Sequence, residues 1–293
     1  MSDHQFNQIT PHVYWLSPDS TTDRPILGAI VGNRGTVLVD VGNSPAHVQI
    51  LLDELSRRQL PAPTFAMLTH WHWDHVFGAS ALDVPIFAHV ETRRIVTVMA
   101  GLDWSDAALD QRVAEGTEIA FCRDMFKVEW PDRRNLIIRP PDIGVTSQVE
   151  VDLGGVTARF IHVGGDHSPD SSVVYVPEDR VMFLGDCLGD DLHHGPRRLT
   201  TALYPALLNR VLSYDVAHYL EGHNPAPVSP LELRADADLI KAIAQTVDAQ
   251  GQNREAILSQ LPQVVRRPTD DDQLAVVDAF LAGARLPIVA SVL

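Results

Sequence analysis

One string of seven residues constrains this chain more than anything else in it: Thr69-His70-Trp71-His72-Trp73-Asp74-His75. Three histidines and an aspartate crowd into six positions, directly after the apolar run 65–68. On an extended segment alternate side chains point the same way, so His70 and His72 can converge on one ion. Asp74 and His75 fall where the chain turns into a helix, and can face a second ion beside the first. Imidazole nitrogen and carboxylate oxygen are ordinary ligands for zinc and other divalent first-row metals. With 13 histidines in 293 residues, chance is a poor account of H-x-H-x-D-H.

Four residues do not complete a two-ion site. The remaining ligands are expected at the ends of later strands, and three candidates stand there. His167 lies in Gly164-Gly165-Asp166-His167-Ser168-Pro169-Asp170, Asp186 in Phe183-Leu184-Gly185-Asp186-Cys187, and His223 in Glu221-Gly222-His223-Asn224. Each follows a short apolar run and has glycine close by, which lets the backbone bend so that a side chain points across a strand-end cleft.

The surrounding pattern alternates strands and helices. Strands are predicted at 12–16, 26–31, 36–41, 65–68 and 84–88, with a helix over 46–58 and another from about 91. A second series runs 148–153, 156–163, 172–176, 181–184 and 217–220, with a helix near 201–212. After Pro230 the chain reads as helical to its end. Two such halves, each feeding ligand-type residues to strand ends, predict an α+β protein with two sheets face to face and helices outside. A single domain over 1–293 is expected, with a C-terminal helical extension over about 229–293. Residues 100–147 read as an insertion, with an acidic helical stretch at 106–118 and an aromatic segment containing Phe121, Phe126 and Trp130. It is a cover that could offer Phe126 or Trp130 to the site as a lid, a connector between the two halves, or a surface excursion with no role.

Charge narrows the partners. Lys and Arg total 23 against 38 Asp and Glu, a formal charge of -15. That balance argues against nucleic acid and against an anionic membrane surface. The opening MSDHQFNQIT lacks a basic and then apolar leader pattern, so a cytoplasmic location is expected. No uncharged apolar run is long enough to span a membrane. Cys122 and Cys187 form no CxxC pair, which argues against a disulfide scaffold or zinc ribbon. The apolar segment 286–293 is open to two readings, a homodimer contact or packing on its own domain.

Taken together, Val37-Leu38-Val39-Asp40 with Gly42, then His70-x-His72-x-Asp74-His75, His167, Asp186 and His223 resemble the metallo-β-lactamase superfamily. The five motifs stand in the family's order and cover about 27–224. The resemblance implies a four-layer αββα sandwich with its site along one edge of the two sheets. It implies two divalent metal ions, zinc first, with iron or manganese as alternatives. One would be held by His70, His72 and His167. The second would be held by Asp74, His75 and His223, with Asp186 bridging the two. Asp40 would support the site from behind, although a strand-end turn residue is an equal reading. Asp74 would also have a catalytic role, accepting or relaying a proton.

The implied reaction is hydrolysis by a metal-bridging hydroxide, acting on a small ester, lactone, thioester or amide substrate. Class B β-lactamases with the closest matching segment after His167 carry cysteine where Asp186 stands, and lysine where Gly189 stands. Here Gly189 is followed by Asp190 and Asp191, which would repel a substrate carboxylate. The Gly-Cys-Gly-Arg signature of glyoxalase II is absent, and so is the tyrosine that quorum-quenching lactonases place at position 189. Two other readings remain: a mononuclear iron enzyme resembling persulfide dioxygenases, and a non-catalytic metal-binding protein. For the pocket walls, Trp71 and Trp73 either line the cleft or pack into the core. His193 and His194, in the loop 190–198 after Asp186, are substrate-contact candidates.

Overall fold

The computed structural model describes residues 4–193, 195–265 and 268–284. Its first sheet has seven strands in chain order: β1 (Phe6–Gln8), β2 (Val13–Leu16), β3 (Leu27–Gly32), β4 (Gly35–Val39), β5 (Pro63–Met67), β6 (Ile86–His89) and β7 (Ile143–Val145). Pairing is antiparallel from β1 to β4 and parallel from β4 to β7. The second sheet has five: β8 (Gln148–Asp152), β9 (Thr157–His162), β10 (Ser172–Val176), β11 (Val181–Gly185) and β12 (His218–Glu221). Only its β11–β12 pair is parallel.

Side-chain alternation decides how the sheets stack. On β3, Ile30 turns toward the second sheet, while Leu27, Ala29 and Val31 turn away from it. Between the sheets, Val13, Trp15, Val37, Val39 and Met67 meet Phe160, Val174, Val176, Val181 and Phe183. Burying each such large side chain stabilises the fold by about 1.5–3 kcal/mol.

Helices cover the outer faces. α1 (Pro45–Arg57) starts at Ser44, whose side chain accepts from the His47 amide, with proline at its first position. It packs Val48, Leu51 and Leu55 on the first sheet. There it is joined by α2 (Trp73–Val76), a 3-10 turn at Phe77–Ala81 and α3 (Val90–Met99). The stretch after α3 folds as α4 (Asp106–Glu115) and α5 (Ala120–Glu129) on the same side. On the second sheet, α6 (Leu203–Val211) lays Leu207 and Val211 over Ile161, Val173 and Met182. The result is the expected αββα sandwich, an α+β fold.

Two expectations about the inserted segment are corrected. Phe126 and Trp130 form no lid. Phe126 is fully buried against Trp73, Phe77 and Trp104, and the Trp130 indole donates to the Asn43 carbonyl at 2.8 Å. They belong to the core because α5 is amphipathic and Glu129 anchors its end through Arg24 at 2.7 Å and through Ser44. The excursion also ends before 147, since β7 pairs with β6 and is part of the sheet.

Beyond the sandwich, Ser229 and Glu232 form a capping box that opens α7 (Pro230–Gln250). α8 (Arg254–Val264) and α9 (Asp271–Gly283) complete a helical cluster with Leu199, Tyr204 and Leu208. Among the described residues, no helix is long and apolar enough to cross a membrane. Segment 286–293, read from sequence as a dimer contact or a packed tail, lies outside the described residues.

Candidate metal centre

Parallel neighbours bring strand ends together. β4 and β5 are parallel in the first sheet, and β11 and β12 are parallel in the second. Asp40 follows β4, and the His70–His75 string follows β5 across a short junction. Asp186 follows β11, His223 follows β12, and His167 sits on the connection between β9 and β10. Backbone bonds stitch these ends together, between the two sheets and within the second. The Ser172 amide donates to the Thr69 carbonyl at 2.8 Å, and the Gly222 amide to the Gly185 carbonyl at 2.9 Å.

The seven side chains form two groups. In the first, His167 Nε2 lies 3.3 Å from His70 Nε2 and 3.0 Å from His72 Nδ1. In the second, His75 Nε2 lies 3.2 Å from Asp74 Oδ2 and 3.4 Å from Asp186 Oδ2. His223 Nε2 closes it, 3.2 Å from Asp74 Oδ2 and 3.3 Å from Asp186 Oδ2. The same Asp186 oxygen is 3.8 Å from His167 Nε2 in the first group. Donors held tetrahedrally at zinc distances stand about 3.3 Å apart, so both groups have ligand spacing.

The outer partners of the rings show that the inward nitrogens carry lone pairs. His167 Nδ1 faces the Asp190 carbonyl at 3.0 Å, so it must donate, which leaves Nε2 bare. His75 Nδ1 donates to Asp40 Oδ2 at 2.8 Å. Thr69 Oγ1 donates to the same Asp40 oxygen at 2.9 Å, so its own oxygen accepts from His70 Nδ1 at 3.1 Å. The lone pairs of His167 Nε2 and His70 Nε2 thus face each other at 3.3 Å, and a cation between them would relieve that repulsion. His75 Nε2 faces the carboxylates of Asp74 and Asp186, where a cation would take the place of a proton.

Electrostatics agrees. Burial, reinforced by the other imidazoles, pushes His70 and His72 well below the ordinary histidine range, so both are neutral ligands near pH 7. Burial also works against charge on His75 and His223. The surrounding carboxylates of Asp74 and Asp186, with Asp40 beside His75, outweigh it and hold both well above that range. Burial would raise the Asp186 carboxyl, but His223 and His75 pull it well below the usual carboxylate range; Asp74 is lowered by the same two rings. In the second group the two carboxylates thus hold protons on His75 and His223, and a bound cation would replace those protons.

Backbone conformation supports these ligands. Asp40 itself has φ 58°, a left-handed value that swings its carboxylate toward Thr69 and His75, so it is at once a turn residue and a support. Two glycines allow close approach. A Cβ on Gly222 would lie 1.9 Å from Asp186 Oδ1, and one on Gly189 would lie 2.7 Å from His167 Nδ1. A side chain at position 189 would therefore have to displace His167.

The rim divides the pocket-wall candidates. Trp73 packs into the core against Phe77 and Phe126. Trp71 stays at the centre, its ring edge-on to His72 at 4.4 Å and tilted against His193 at 5.5 Å. The His193 ring lies 4.8 Å from that of His72. His194 lies outside the described residues. His223 is 39% exposed, which marks the open side of the centre. Sequence reasoning missed Asp23, whose Oδ1 lies 3.7 Å from His223 Nδ1. Burial, and then repulsion from Asp74, pushes its carboxyl up to about 7. It also missed Glu118, which lies 3.9 Å from His193 Nδ1.

A two-sheet sandwich with a histidine–carboxylate centre at its edge defines a class of metal-binding αββα proteins. The Metallo-beta-lactamase superfamily profile matches residues 28–228, and the chain belongs to that superfamily. No curated protein matches the sequence significantly. Among solved structures, a metallo-beta-lactamase from Pontibacter korlensis is similar over 79% of this chain and 96% of its own, at 20% identity and TM-score 0.53. A beta-lactamase domain protein from Burkholderia ambifaria aligns over 94% of this chain and 86% of its own, at 18% identity and TM-score 0.59. A double mutant of the sec-alkyl sulfatase PisA1 aligns over 95% of this chain at 14% identity and TM-score 0.65, and the chain spans 50% of that protein's length. At these identities the likeness shows the fold.

Proposed function

We propose that this protein is a binuclear metal-dependent hydrolase acting on a small, uncharged ester, lactone, thioester or amide. The observation that carries the reading is the single Asp186 oxygen that faces both ligand groups, 3.3 Å from His223 and 3.8 Å from His167. Two divalent ions bound there, zinc first, would supply water ionised near neutral pH and a Lewis acid for the scissile group. His70, His72 and His167 would hold one ion as neutral ligands, while Asp74, His75 and His223 would hold the other. Asp74, which meets His223 at 3.2 Å, would also accept or relay a proton from the attacking water.

Charge around the mouth favours an uncharged substrate. The loop after Asp186 carries two arginines, but Arg197 pairs with Asp190 at 2.7 Å and Arg198 with Asp191 at 2.6 Å. Both pairs leave little positive field to grip a substrate carboxylate, and Asp23 and Glu118 add acidity nearby. Elemental analysis of the purified protein, paired with a screen of esters, lactones, thioesters, β-lactams, alkyl sulfates and phosphodiesters, tests the reading. Two metals per chain and turnover of uncharged acyl substrates are expected. One iron per chain with oxygen uptake would sink it in favour of a dioxygenase. Turnover of phosphodiesters or sulfates alone would move the substrate class.

A further inference from the structure

Three groups of histidine, cysteine and carboxylate side chains converge closely among the described residues, and only two of them form the centre above. The third is Glu118, Cys122 and His193, whose donor atoms all lie within 4.8 Å of one another. Glu118 sits just before the extended cap residue Ile119 of α5 and Cys122 lies in the first turn, and the entry of the chain into the helix brings their donor atoms together. His193 comes from the loop after Asp186. The three donors therefore join the helical excursion to the second sheet's strand-end loop.

The group is organised as a ligand set. Glu118 Oε1 accepts from the Ile119 amide at 2.9 Å, which fixes its carboxylate, and it stands 3.9 Å from His193 Nδ1. The His193 ring is braced by Trp71 and His72. Burial leaves the Glu118 carboxyl above its ordinary range, outweighing the nearby Arg112, which pulls it down. The Arg112 guanidinium donates to the Asp103 carbonyl at 2.8 Å and stacks over Trp104 at 4.8 Å. An enclosed carboxylate is costly unless positive charge meets it, while burial keeps the Cys122 thiol protonated until a bound metal ion displaces that proton to solvent. Thiolate, imidazole and carboxylate ligands suit a borderline-soft ion at metal–ligand distances of about 2.0–2.3 Å. Reaching that spacing requires each side chain to move by about 1 Å, a change small rotamer adjustments supply.

We propose that Glu118, Cys122 and His193 form a third metal site, selective for zinc-like ions and separate from the two groups bridged by Asp186. An ion bound there would tie α5 to the loop 190–198 and hold the His193 ring against His72 and Trp71 at the mouth of the cleft. The proposal stands independently of the hydrolytic reading, because its ligands are not those of the main centre and its test reads binding.

Cobalt(II) tests it through sulfur. The main centre offers only nitrogen and oxygen donors, so a thiolate-to-cobalt charge-transfer band can come only from a cysteine ligand. Protein produced in cobalt-supplemented medium and saturated with cobalt(II) should show that near-ultraviolet band. It should also hold about one equivalent more than Cys122→Ser, which should lack the band. Glu118→Gln should weaken the third equivalent by at least about tenfold. Cys187→Ser should keep the band, since that thiol is buried among Leu184, Leu207 and Tyr219. Absence of the band in the unaltered protein overturns the proposal, whatever the variants do. So does a band that survives Cys122→Ser in protein with an unchanged far-ultraviolet circular dichroism spectrum.

Discussion

The two sheets contribute to the candidate metal centre in opposite ways. The first sheet supplies His70, His72, Asp74 and His75 from one strand-to-helix junction. The second supplies His167, Asp186 and His223 from three separate strand ends. In the first set, backbone geometry over a few residues sets the relative positions, and Asp40 then locks two of the rings from behind. In the second set, positions depend on strand register and on backbones that approach side chains closely, at Gly222 and Gly189. A contiguous ligand set tolerates small shifts between sheets. A dispersed set does not, because each shift moves its ligands independently.

The largest effect should come from Asp186→Asn, which removes the charge of a carboxylate whose one oxygen faces both groups. Metal content should fall below two per chain and hydrolysis by more than about a hundredfold, with secondary structure unchanged. Two tightly held metals in this variant, measured by elemental analysis after dialysis, would break the comparison at its centre.

Next is Gly222→Ala. The new methyl would have to displace the Asp186 carboxylate, so metal affinity should drop about 10–100-fold and stability by about 1–3 kcal/mol. The same substitution at Gly101, where the nearest atom to a new Cβ is 3.5 Å away, should leave metal affinity unaltered. Equal losses at both positions would remove the role assigned to close approach.

Asp40→Asn probes the contiguous set. An amide cannot accept from Thr69 and His75 with both of its ends, so one ring loses its tautomer lock. Metal affinity should fall about tenfold, less than in either preceding variant, as read by competition with a chromophoric chelator. A loss larger than that of Asp186→Asn would invert the ranking of the two sets.

The smallest effect is expected at Ser229→Ala, which removes the capping box of α7 just after the His223 loop. Chemical denaturation should show a loss of about 1 kcal/mol, with metal content unchanged. A fall in metal content would show that the helical extension helps to position His223.

Legibility in the sequence divided instead between local pattern and long-range packing. Strands whose side chains alternate or run apolar, such as Val181–Gly185, were evident, as was α1 with its serine cap and proline start. The seven histidine and aspartate positions stood out because chemistry-bearing residues after apolar runs are a local signal. Ile143–Val145 was missed because three residues carry no periodicity, and only pairing with β6 makes them a strand. Phe126 and Trp130 were offered as lid residues because an aromatic segment after an acidic helix does not reveal which face of α5 meets the core. Asp23 gave no sequence signal. It reaches His223 because the Ile26 amide bonds to the Gly222 carbonyl at 2.6 Å, which draws the preceding loop over the end of β12.

By itself, the sequence determined what short-range geometry controls: the converging His-x-His pair, the turn that carries Asp74 and His75, and the strand ends where further ligands stand. Tertiary structure decided that one Asp186 oxygen faces both groups, that Trp73 turns inward while Trp71 stays at the centre, and that Glu118, Cys122 and His193 meet. Bond lengths and dihedral preferences fix atoms two to four residues apart. The distance between His167 and His70 is set only by the packing of two sheets, and no local pattern encodes it.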